Sequence, residues 1–600
     1  MNSDSTFGRY LKISLRGASH AKKMIFALEN FPAGFHIDEN ALKELMDRRA
    51  PGRDLLSTQR KEPDEVVFTS GVKKGVTTGG TICGQIASVD MRPADYGSER
   101  TIPRPGHADF GQWVQYGRIP TGGGKNSGRL TATLCAAGGI CKQWLEQRGV
   151  YIRATIESLG GVRDGSEKDY EQVILKARKA GDSVGGEIEC GIIGLPAGLG
   201  GPLFEGLETG ISAAIFGIPG VKGISFGMRP DLMCAMRGSQ YNDAFAVRGG
   251  QVGTSSIRQG GILGGRTAGT LVCFTVAMRP TPTVFKAQAS VDLSTMRPAD
   301  CVMRGRHDPC IVRRALPVVE AVTAFAIADA ILADEAARPR ICLTLTGKTL
   351  VEDLEQYKSQ RYFTDMVELR VDLLRKSERA KVPQFPVMLG DCNGNMWQTP
   401  IILTFRKKCD GGAFEGSEEE RAKFFKKVLS SGAPFAYVDF EEGFGDASLV
   451  AQAHAAGVKV VRSVHDFTGP VKNLPARLKR LAADGDIAKI AFMPKTKKDV
   501  DRLFTQLAGK DIPPHVVCAM GPLGLPSRVL AGRLGSLWTY ASVGGLGKIG
   551  HLTPYDLVRD YRFRSVSKNA KVVYVPAGDV ARVNAAFLAE DEDAVALPAQ

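Results

Sequence analysis

The second half of this 600-residue chain repeats one pattern eight times, and that pattern constrains the fold more than any other feature. A short apolar run is followed by an amphipathic segment with helical spacing, and the repeat begins at residue 340. Buried strands that alternate with helices predict parallel strands joined by helical crossovers, and eight such units predict a (β/α)8 barrel. The predicted strands are residues 341–345, 366–371, 400–405, 435–440, 459–464, 487–493, 515–520 and 537–543.

One helix of this repeat is predicted in detail. After the sixth apolar run, Val500, Leu503 and Leu507 fall at helical spacing. Thr496 precedes them at the position of an N-cap, and Gly509 follows them where a helix commonly stops. The spacing therefore predicts a helix between these two residues.

Polar residues follow the predicted strands at their carboxyl ends, where (β/α)8 barrels hold their active sites. They are Glu368 and Arg370 at the second strand, Arg406 at the third, and His465 and Asp466 at the fifth. Lys489 is different, because it lies within the sixth strand between apolar neighbours. Burial disfavours the charged form of a lysine unless the charge is paired.

Two interpretations of Lys489 remain open at this level. A desolvated, neutral amine is a nucleophile toward carbonyl groups, which predicts a Schiff base with a ketone substrate. Alternatively, Lys489 forms an ion pair with Glu368 that only stabilises the barrel. The periodicity of the sequence favours neither interpretation over the other.

The first half of the chain carries a different set of reactive groups. Three of the eight histidines, His20, His107 and His307, lie in turns rich in glycine and arginine. Histidine transfers protons near neutral pH, so these positions favour catalysis over a purely structural role. The glycine-rich loops at residues 122–129 and 260–266 also carry basic residues. Such loops present backbone N–H groups to phosphate, although ordinary turns use glycine too.

Length and motifs together predict two enzymes in one chain. A single core rarely extends beyond about 250–300 residues, and neither half completes the motifs of the other. The net charge of +14 is compatible with nucleic acid binding or with an enzyme for polyanionic small molecules. We favour the second and expect no nucleic acid partner, because Lys and Arg residues are spread through the motifs rather than gathered with aromatic residues.

Cysteine usage and hydropathy predict a cytoplasmic protein. The 12 cysteines form no CxxC pair, which indicates free thiols in a reducing compartment and no metal site. The first residues lack the basic and then apolar pattern of a signal peptide. The most apolar helical stretch, residues 315–333, is interrupted by Pro317, Glu320 and Asp329, so no membrane-spanning helix is predicted.

The second half resembles type I 3-dehydroquinate dehydratase through motifs that extend over the whole predicted barrel. The matching segments are ICLTLTGKTL (341–350), VELRVD (367–372), TFR (404–406), VHDF (464–467) and DIAKIAFMP (486–494). The resemblance implies a barrel that needs no cofactor. It also implies that Lys489 forms an imine with the ketone of 3-dehydroquinate and that His465 transfers protons during the loss of water.

The same resemblance implies a substrate-binding set around these two residues. Its members are Glu368, Arg370, Arg406 and Arg528. Two further members depart from the family pattern. Asp410 stands where a glutamate usually orients the histidine, and His551 stands where a glutamine usually belongs to the lid over the substrate.

The first half resembles chorismate synthase over about residues 7–333. The matching segments include RRAPG (48–52), SGVKKGVTTG (70–79), RPGHAD (104–109), MRGSQYND (236–243), RPTPT (279–283) and GRHDPC (305–310). The resemblance implies a β-α-β sandwich that uses reduced FMN to convert 5-enolpyruvylshikimate 3-phosphate into chorismate. In that reading His20 protonates the leaving phosphate, His107 protonates the flavin, and Asp308 assists removal of a ring proton.

The resemblance also implies the residues that bind flavin and substrate in the first half. The flavin set is Lys125, Ser127, Arg129, Arg237 and Asn242, and the substrate set is Arg48 and Arg306. Several positions depart from the family motifs, among them Ala21, which replaces a glycine. Ala18 and Leu130 replace glutamates, and Lys125 replaces an arginine. Arginine binds phosphate through two parallel N–H groups, which lysine does not offer.

The predicted domains are residues 1–335, residues 340–563 and a tail at 564–600, with a charged linker at residues 330–339. The tail weakly resembles the opening of a shikimate dehydrogenase, and the simpler interpretation is a plain surface segment. We therefore predict a bifunctional shikimate-pathway enzyme of mixed α/β and α+β class that acts on anionic small molecules, as a homo-oligomer away from membranes. The alternative is a basic scaffold or regulatory protein in which one or both domains have lost activity.

Overall fold

A computed structural model describes residues 5–52, 56, 62–90, 100–120, 122–303, 308–392, 398–544 and 552–599. The chain divides into two compact units, Met1–Ala333 and Asp334–Gln600. Each unit has its own sheets and its own hydrophobic core.

The first unit contains 18 strands among its described residues. They are β1 Ser5–Phe7, β2 Lys12–Arg16, β3 Lys23–Glu29, β4 Val66–Ser70, β5 Val72–Lys73, β6 Val76–Thr77, β7 Ile82–Ala87, β8 Tyr151–Leu159, β9 Val162–Arg163, β10 Gly186–Ile193, β11 Val221–Phe226, β12 Phe245–Arg248, β13 Gln251–Thr254, β14 Ile262–Leu263, β15 Arg266–Thr267, β16 Val272–Met278, β17 Gln288–Asp292 and β18 Arg297–Cys301.

Two five-stranded antiparallel sheets form the outer layers of this unit. Their strand orders are β1–β2–β3–β7–β4 and β11–β16–β10–β8–β9. Strand β3 shows why one face of each sheet is apolar. Met24, Phe26 and Leu28 alternate with more exposed residues and are fully buried, as the two-residue period of a strand requires.

Helices α1 Glu39–Arg49, α2 Asp109–Tyr116, α3 Thr131–Glu146, α4 Glu167–Lys179, α5 Leu207–Phe216, α6 Pro230–Cys234, α7 Gly238–Tyr241 and α8 Val312–Ala337 complete the unit. Helices α3 and α8 are the most deeply buried. They approach closely at Gly138, where a Cβ atom would lie 2.1 Å from the carbonyl oxygen of Ala321. A side chain at this position would separate the two helices.

Two buried carboxylates of α8 connect it to both sheets. Asp329 accepts hydrogen bonds from the backbone N–H groups of residues 9–11, which lead into β2. Glu320 accepts one from Ala154 in β8 at 3.2 Å. The helix therefore lies between the two sheets, and the predicted β-α-β sandwich is confirmed.

Helix α8 meets the length and hydropathy of a membrane-crossing helix, and it is the one such helix among the described residues. Its most apolar window is 89% buried inside the unit, as the central helix of a folded domain is. The helix continues to Ala337, through most of the segment that we predicted as a linker.

The second unit is a parallel barrel. Its strands are β19 Arg340–Leu345, β20 Met366–Arg370, β21 Ile401–Thr404, β22 Tyr437–Glu441, β23 Lys459–Asp466, β24 Ile487–Phe492, β25 His515–Ala519 and β26 Trp538–Ser542. They run in the order β25–β24–β23–β22–β21–β20–β19–β26. The N–H of Leu537 donates to the carbonyl of His515 at 3.0 Å, so the two outer strands also approach each other. All eight predicted strands are present, and each end lies within two residues of the prediction.

Helices cover the outside of the barrel. They are α9 Leu350–Gln360, α10 Lys376–Arg379, α11 Phe385–Cys392, α12 Glu418–Leu429, α13 Ala447–Ala455, α14 Leu474–Ala482, α15 Lys497–Leu507, α16 Leu525–Val529 and α17 Pro554–Arg559. Helix α15 is the one predicted from the sequence. It begins after Thr496, whose N–H donates to Asp499 at 2.9 Å in a capping arrangement.

The segment after the barrel is a folded β-α-β unit rather than a plain surface tail. Strands β27 Lys571–Val575 and β28 Ala594–Pro598 pair in parallel, and α18 Val580–Ala589 joins them. Asn584 is fully buried, and its amide donates to the carbonyls of Asp560 and Ala596 at 2.7 and 3.0 Å. Val595 and Leu597 belong to the same apolar cluster as Ile341, Leu557 and Phe563, so this unit packs on the barrel.

Candidate active sites

The parallel register of the barrel places polar residues of neighbouring strands side by side. Thr344 pairs with Glu368, Thr404 with Asp439, and Ser463 with Lys489. None of these residues is more than 3% exposed. We call these six residues the polar layer. It lies above an apolar layer of the barrel interior that includes Cys342, Ile402, Ile487 and Tyr540.

Lys489 is paired with two carboxylates of the polar layer. Its Nζ lies 2.9 Å from Asp439 Oδ2 and 3.4 Å from Glu368 Oε1. Arg406 contacts the same two groups from its Nη2, at 3.0 Å from Asp439 and 3.5 Å from Glu368. Two cations therefore match two carboxylates. The ion pair with Glu368 is present, but Asp439 is the closer partner.

Sequence reasoning missed Asp439, although a signal for it exists. Asp439 lies inside the fourth apolar run, as Lys489 lies inside the sixth. A buried acid and a buried base in neighbouring parts of one barrel predict an ion pair between them, because a buried charge needs a partner of opposite sign.

Hydroxyl groups hold both carboxylates in place. Thr344 and Thr404 each donate to Glu368 at 3.0 Å, and Ser463 donates to Asp439 at 2.6 Å. Burial opposes ionisation of Glu368, but Lys489 and Arg406 outweigh it and lower the pKa of Glu368 to about 2. Burial likewise opposes ionisation of Asp439, and the same two cations hold its pKa well below the ordinary value. Both groups therefore remain carboxylates at neutral pH.

His465 lies at the mouth of the barrel, next to Arg406. Arg406 Nη1 lies 2.7 Å from Nδ1 and 2.8 Å from Nε2 of the imidazole. A guanidinium only donates hydrogen bonds, so the ring has to accept one. Burial first, and then the charges of Arg406 and Lys489, lower the pKa of His465 well below its usual value. His465 is therefore a neutral base at neutral pH.

Asp410, predicted to orient the histidine, lies in a short 3-10 turn at Lys408–Asp410. Its carboxylate accepts a hydrogen bond from Cys409 Sγ at 3.3 Å. In the described structure Arg406, rather than Asp410, contacts the imidazole. The turn that carries Asp410 nonetheless meets the segment just after β23, the strand of His465, since a Cβ on Gly411 would lie 2.4 Å from the ring of Phe467.

The remaining predicted substrate residues of the barrel lie in different surroundings. Arg370 pairs with Asp372 at 3.0 and 2.7 Å, and Asp372 also accepts the backbone N–H of Arg406 at 3.3 Å. Arg528 lies in α16 and is almost fully buried, and this burial lowers its pKa. His551 lies outside the described residues.

The first unit contains a cavity of ≈ 290 Å³ that is lined by basic side chains. Four predicted site residues meet there, namely His107, Ser127, Arg129 and Asp308. Sequence reasoning missed four lining arginines, which are Arg49, Arg104, Arg279 and Arg314. All four belong to segments that contain or adjoin the quoted motifs, so the motif positions were informative even where the individual residue was not.

His107 is held by a hydrogen bond at each ring nitrogen. Nδ1 lies 3.1 Å from the carbonyl oxygen of Pro105, and Nε2 lies 2.8 Å from Oγ1 of Thr283. A carbonyl oxygen only accepts, so Nδ1 carries the hydrogen and Nε2 accepts from the Thr283 hydroxyl. Burial first, and then Arg104, lower the pKa of His107 to about 4. The ring is therefore neutral at neutral pH.

Carboxylates behind the cavity hold several of its arginines. Arg49 and Arg129 both pair with buried Asp64. Arg104 contacts Asp109 through Nε and Nη2, both at 2.7 Å. These ion pairs fix the guanidinium groups before any ligand enters the cavity.

Asp308 pairs with Arg314 at 2.6 Å. Among the described lining residues Asp308 is the one carboxylate, against five arginines. The cavity is therefore suited to anionic ligands.

The other predicted residues of the first unit that the structure describes do not line this cavity. Arg48 donates both Nη groups to Glu320 at 2.9 Å, and its neighbour Arg49 faces the cavity instead. The ring of His20 packs against Gly122, where a Cβ atom would lie 2.6 Å from His20 Cε1.

Four positions remain in this unit. Lys125 is exposed in the 3-10 turn Gly124–Asn126, and Arg237 and Asn242 are exposed on either side of α7. Arg306 lies outside the described residues. Within the described part of the chain, no group of three His, Cys, Asp or Glu side chains could hold a metal ion.

Comparison with known proteins gives a family match for each unit. Residues 11–332 match the family model of chorismate synthase, and residues 341–568 match that of type I 3-dehydroquinase. The chain is 40% identical over 347 residues to chorismate synthase of Thermococcus gammatolerans, which covers 54% of this chain and 97% of the relative. Chorismate synthase of Lancefieldella parvula is 37% identical over 364 residues, covering 54% and 95%.

A solved structure also matches the second unit. It is the type I 3-dehydroquinate dehydratase of Clostridium difficile with covalently modified comenic acid. The match has 26% identity and a TM-score of 0.34, and it covers 37% of this chain and 90% of the other.

Proposed function

Because the chain belongs to the chorismate synthase family and continues into a type I 3-dehydroquinase domain, it is a bifunctional lyase of the shikimate pathway, and we propose that each site performs the reaction of its own family. In the barrel, this reaction is the dehydration of 3-dehydroquinate to 3-dehydroshikimate. In the sandwich, it is the loss of phosphate from 5-enolpyruvylshikimate 3-phosphate to give chorismate.

The observation that carries the barrel assignment is a buried lysine between two carboxylates, beside a neutral histidine. Lys489 attacks the substrate ketone as an amine, water leaves, and an iminium forms with its positive charge on Nζ. Asp439 and Glu368 lie 2.9 and 3.4 Å from this atom, so they stabilise the cationic iminium. They also stabilise the resting ammonium, which has to release one proton before the attack.

His465 is the group best suited to move protons in this reaction. Lys489 and Arg406 hold both carboxylates of the polar layer as paired anions, and the imidazole of His465 is the neutral base beside them. The iminium acidifies the neighbouring C–H bond, and His465 takes that proton as the double bond forms. It then returns the proton to the departing hydroxyl, which leaves as water. Hydrolysis of the imine restores the amine of Lys489.

The remaining polar groups of the barrel are proposed to bind the substrate. Arg528 is assigned to a substrate carboxylate, and Arg370 and Arg406 present guanidinium groups that are held by carboxylates. Asp410 is assigned to orient the imidazole of His465. His551, in the lid segment, is assigned a hydrogen bond to a substrate hydroxyl.

The experiment for the barrel uses the full chain with 3-dehydroquinate and sodium borohydride. Reduction of the iminium attaches the substrate carbon skeleton to the lysine, so mass spectrometry should find an adduct on the peptide that contains Lys489. Dehydration without any adduct would contradict the covalent mechanism. Repeating the experiment with Lys489→Met identifies any adduct that forms on another lysine.

The donor set of the sandwich cavity fits a flavin phosphate and an anionic substrate. Five arginines, Ser127 and Asn126 line it, and one carboxylate opposes them. Ser127 and Arg129 would hold the FMN phosphate, with Lys125, Arg237 and Asn242 assigned to the same ligand. Arg48 and Arg306 are assigned to the substrate. Reduced FMN, when bound, would supply the electron chemistry of the elimination, without net redox change.

The residues of this cavity supply protons and position. His107 moves a proton at Nε2, the nitrogen that faces Thr283 in the cavity. Asp308, fixed by Arg314, assists removal of the ring proton. His20 is proposed to protonate the departing phosphate from its position next to Ser19, which lines the cavity.

The cavity assignment is tested by anaerobic chorismate release from 5-enolpyruvylshikimate 3-phosphate. We expect turnover with reduced FMN and none with oxidised FMN. Flavin fluorescence measured with each variant separates binding from chemistry. Turnover in the absence of reduced flavin would contradict the assignment of the cofactor.

We also propose that the protein is a cytoplasmic homo-oligomer. Phe245 and Val247 in the β12–β13 hairpin are 67% and 71% exposed, and apolar side chains of this size commonly lie in interfaces between subunits. Light scattering of the full chain gives its mass in solution, and a monomeric mass would contradict this proposal.

A further inference from the structure

The amine of Lys489 has a third neighbour besides the two carboxylates. The centre of the Tyr540 ring lies 4.4 Å from Nζ. Tyr540 belongs to β26 and is 3% exposed, in the apolar layer directly below the polar layer. Its ring contacts Trp538 edge-on, with ring centres 6.5 Å apart, and Trp538 in turn contacts Tyr437 at 5.5 Å. The Tyr540 ring is therefore packed against Trp538, which is itself packed against Tyr437.

We propose that Tyr540 is a positioning residue for Lys489. The Tyr540 ring holds Nζ of Lys489 at the polar layer and stabilises the cationic forms of this nitrogen. This inference rests on the dehydratase activity proposed above, and it adds a residue that acts on the substrate only through Lys489.

The physical reason is the charge distribution of the aromatic ring. The face of a ring is electron-rich and attracts a cation within about 6 Å of its centre, most strongly where water is excluded. Both the resting ammonium and the iminium carry a positive charge on the same nitrogen. A neutral amine and a neutral imine gain much less from the ring. Tyr540 therefore favours the two cationic states, together with Asp439 and Glu368.

The ring, rather than the hydroxyl, carries this effect. Burial raises the pKa of Tyr540 well above its usual value, so the phenol remains protonated and uncharged. The hydroxyl thus adds no negative charge that could bind Lys489. Phenylalanine at this position keeps the ring face, and leucine keeps an apolar side chain without it.

Two measurable effects with opposite directions follow from the loss of the ring. The resting ammonium becomes less stable, so the amine becomes available for imine formation at lower pH. The iminium also becomes less stable, so the step that depends on its charge becomes slower. A substitution that only loosens the barrel would slow trapping without moving its pH dependence.

The experiment compares Tyr540→Leu, Tyr540→Phe and the wild-type full chain. Borohydride trapping on Lys489 is measured against pH, and kcat and KM for dehydration are measured separately. For Tyr540→Leu we expect kcat to fall by about 3- to 30-fold with KM little changed, and the half-maximal pH of trapping to move lower. Tyr540→Phe should remain within about 3-fold of the wild type in both measurements.

Tyr437→Leu is the matched control, because Tyr437 contacts the same Trp538 but is not among the contacts of Lys489. It should leave the pH dependence of trapping unchanged. The inference would be overturned if Tyr540→Leu is trapped and turns over like the wild type. It would also be overturned if Tyr540→Leu and Tyr437→Leu change the pH dependence of trapping by the same amount. If the wild type itself gives no adduct on Lys489, the proposed dehydratase mechanism fails instead.

Discussion

The two active sites of this chain are built from different parts of their folds. In the barrel, the reactive groups lie on strands, and the parallel register places Lys489 beside Ser463 and Thr404 beside Asp439. In the sandwich, His107, Ser127 and Asp308 lie on loops and short turns that converge on one cavity. Strand residues are fixed by the sheet, whereas loop residues depend on their individual hydrogen bonds.

The two sites also differ in how their charges are paired. The polar layer and the adjoining Arg406 balance their charges, with Lys489 and Arg406 against Asp439 and Glu368. The sandwich cavity presents five arginines and one carboxylate to a ligand, while the other carboxylates that pair with these arginines lie behind its wall. The reactive lysine of the barrel therefore lies among charges that are already paired, whereas the cavity of the sandwich is a binding site for anions.

Lys489→Met is expected to have the largest effect, because it removes the nucleophile of the barrel. Dehydration should fall by roughly 10⁴-fold or more, as for other enzymes that lose a covalent nucleophile. The steady-state rate with 3-dehydroquinate gives the result, and the exposed Lys495→Met is the control. If Lys489→Met keeps more than a small part of the dehydration activity, Lys489 and the carboxylates paired with it only stabilise the barrel.

Asp439→Asn tests whether the charge balance of the barrel stabilises the fold. Removing one member of a fully buried ion pair leaves other charges uncompensated, so the free energy of unfolding should fall by about 3–5 kcal/mol. Asp308→Asn breaks the pair with Arg314, in which both side chains keep some contact with solvent, and should cost only about 1 kcal/mol. Urea unfolding of both variants measures the difference. Equal losses would contradict the contrast between the two sites.

Much of the barrel could be predicted from the sequence, because its information is local and periodic. Each strand is an apolar run, and Lys489 and His465 stand out against that pattern. Asp439 was missed because one acid near the end of an apolar run resembles the close of a strand. Its partner, Lys489, lies 50 residues away in sequence, and only the pairing of the strands shows that the two residues are close.

The sandwich was less predictable at the level of single residues. Its motifs identify the segments that meet at the cavity, but side-chain direction on a loop is set by contacts with other loops. Arg48 and Arg49 illustrate this, since the first pairs with Glu320 and the second lines the cavity. The folded β-α-β unit after the barrel was missed for a similar reason. Its stability comes from packing on the barrel rather than from its own short pattern.

Asn584→Ala tests that packing and should have a smaller effect than the changes in the polar layer. The variant leaves the carbonyls of Asp560 and Ala596 without the buried amide that they accept from. The free energy of unfolding of the barrel should fall by about 1–3 kcal/mol. The exposed Asn569→Ala should change nothing measurable in the same urea titration. If the two variants behave alike, this unit does not contribute to the stability of the barrel.

A pH dependence of stability is also expected in the sandwich. The folded state holds His107 neutral with a pKa of about 4, whereas an unfolded histidine titrates near 6.5. Below about pH 6.5 the unfolded chain therefore binds a proton that the folded unit does not, and stability falls until about pH 4. His107→Gln should flatten this part of the curve of unfolding free energy against pH. An unchanged slope would show that His107 is not buried as described.

The most direct test of the central claim, that one chain holds two separate active sites, is a reciprocal assay of two variants of the full chain. His465→Ala should slow dehydration by about 10²–10⁴-fold and leave chorismate formation unchanged. His107→Ala should do the reverse, with dehydration unchanged. If either substitution removes both activities, or if the wild-type chain lacks one of them, the account of two complete and separate sites is wrong.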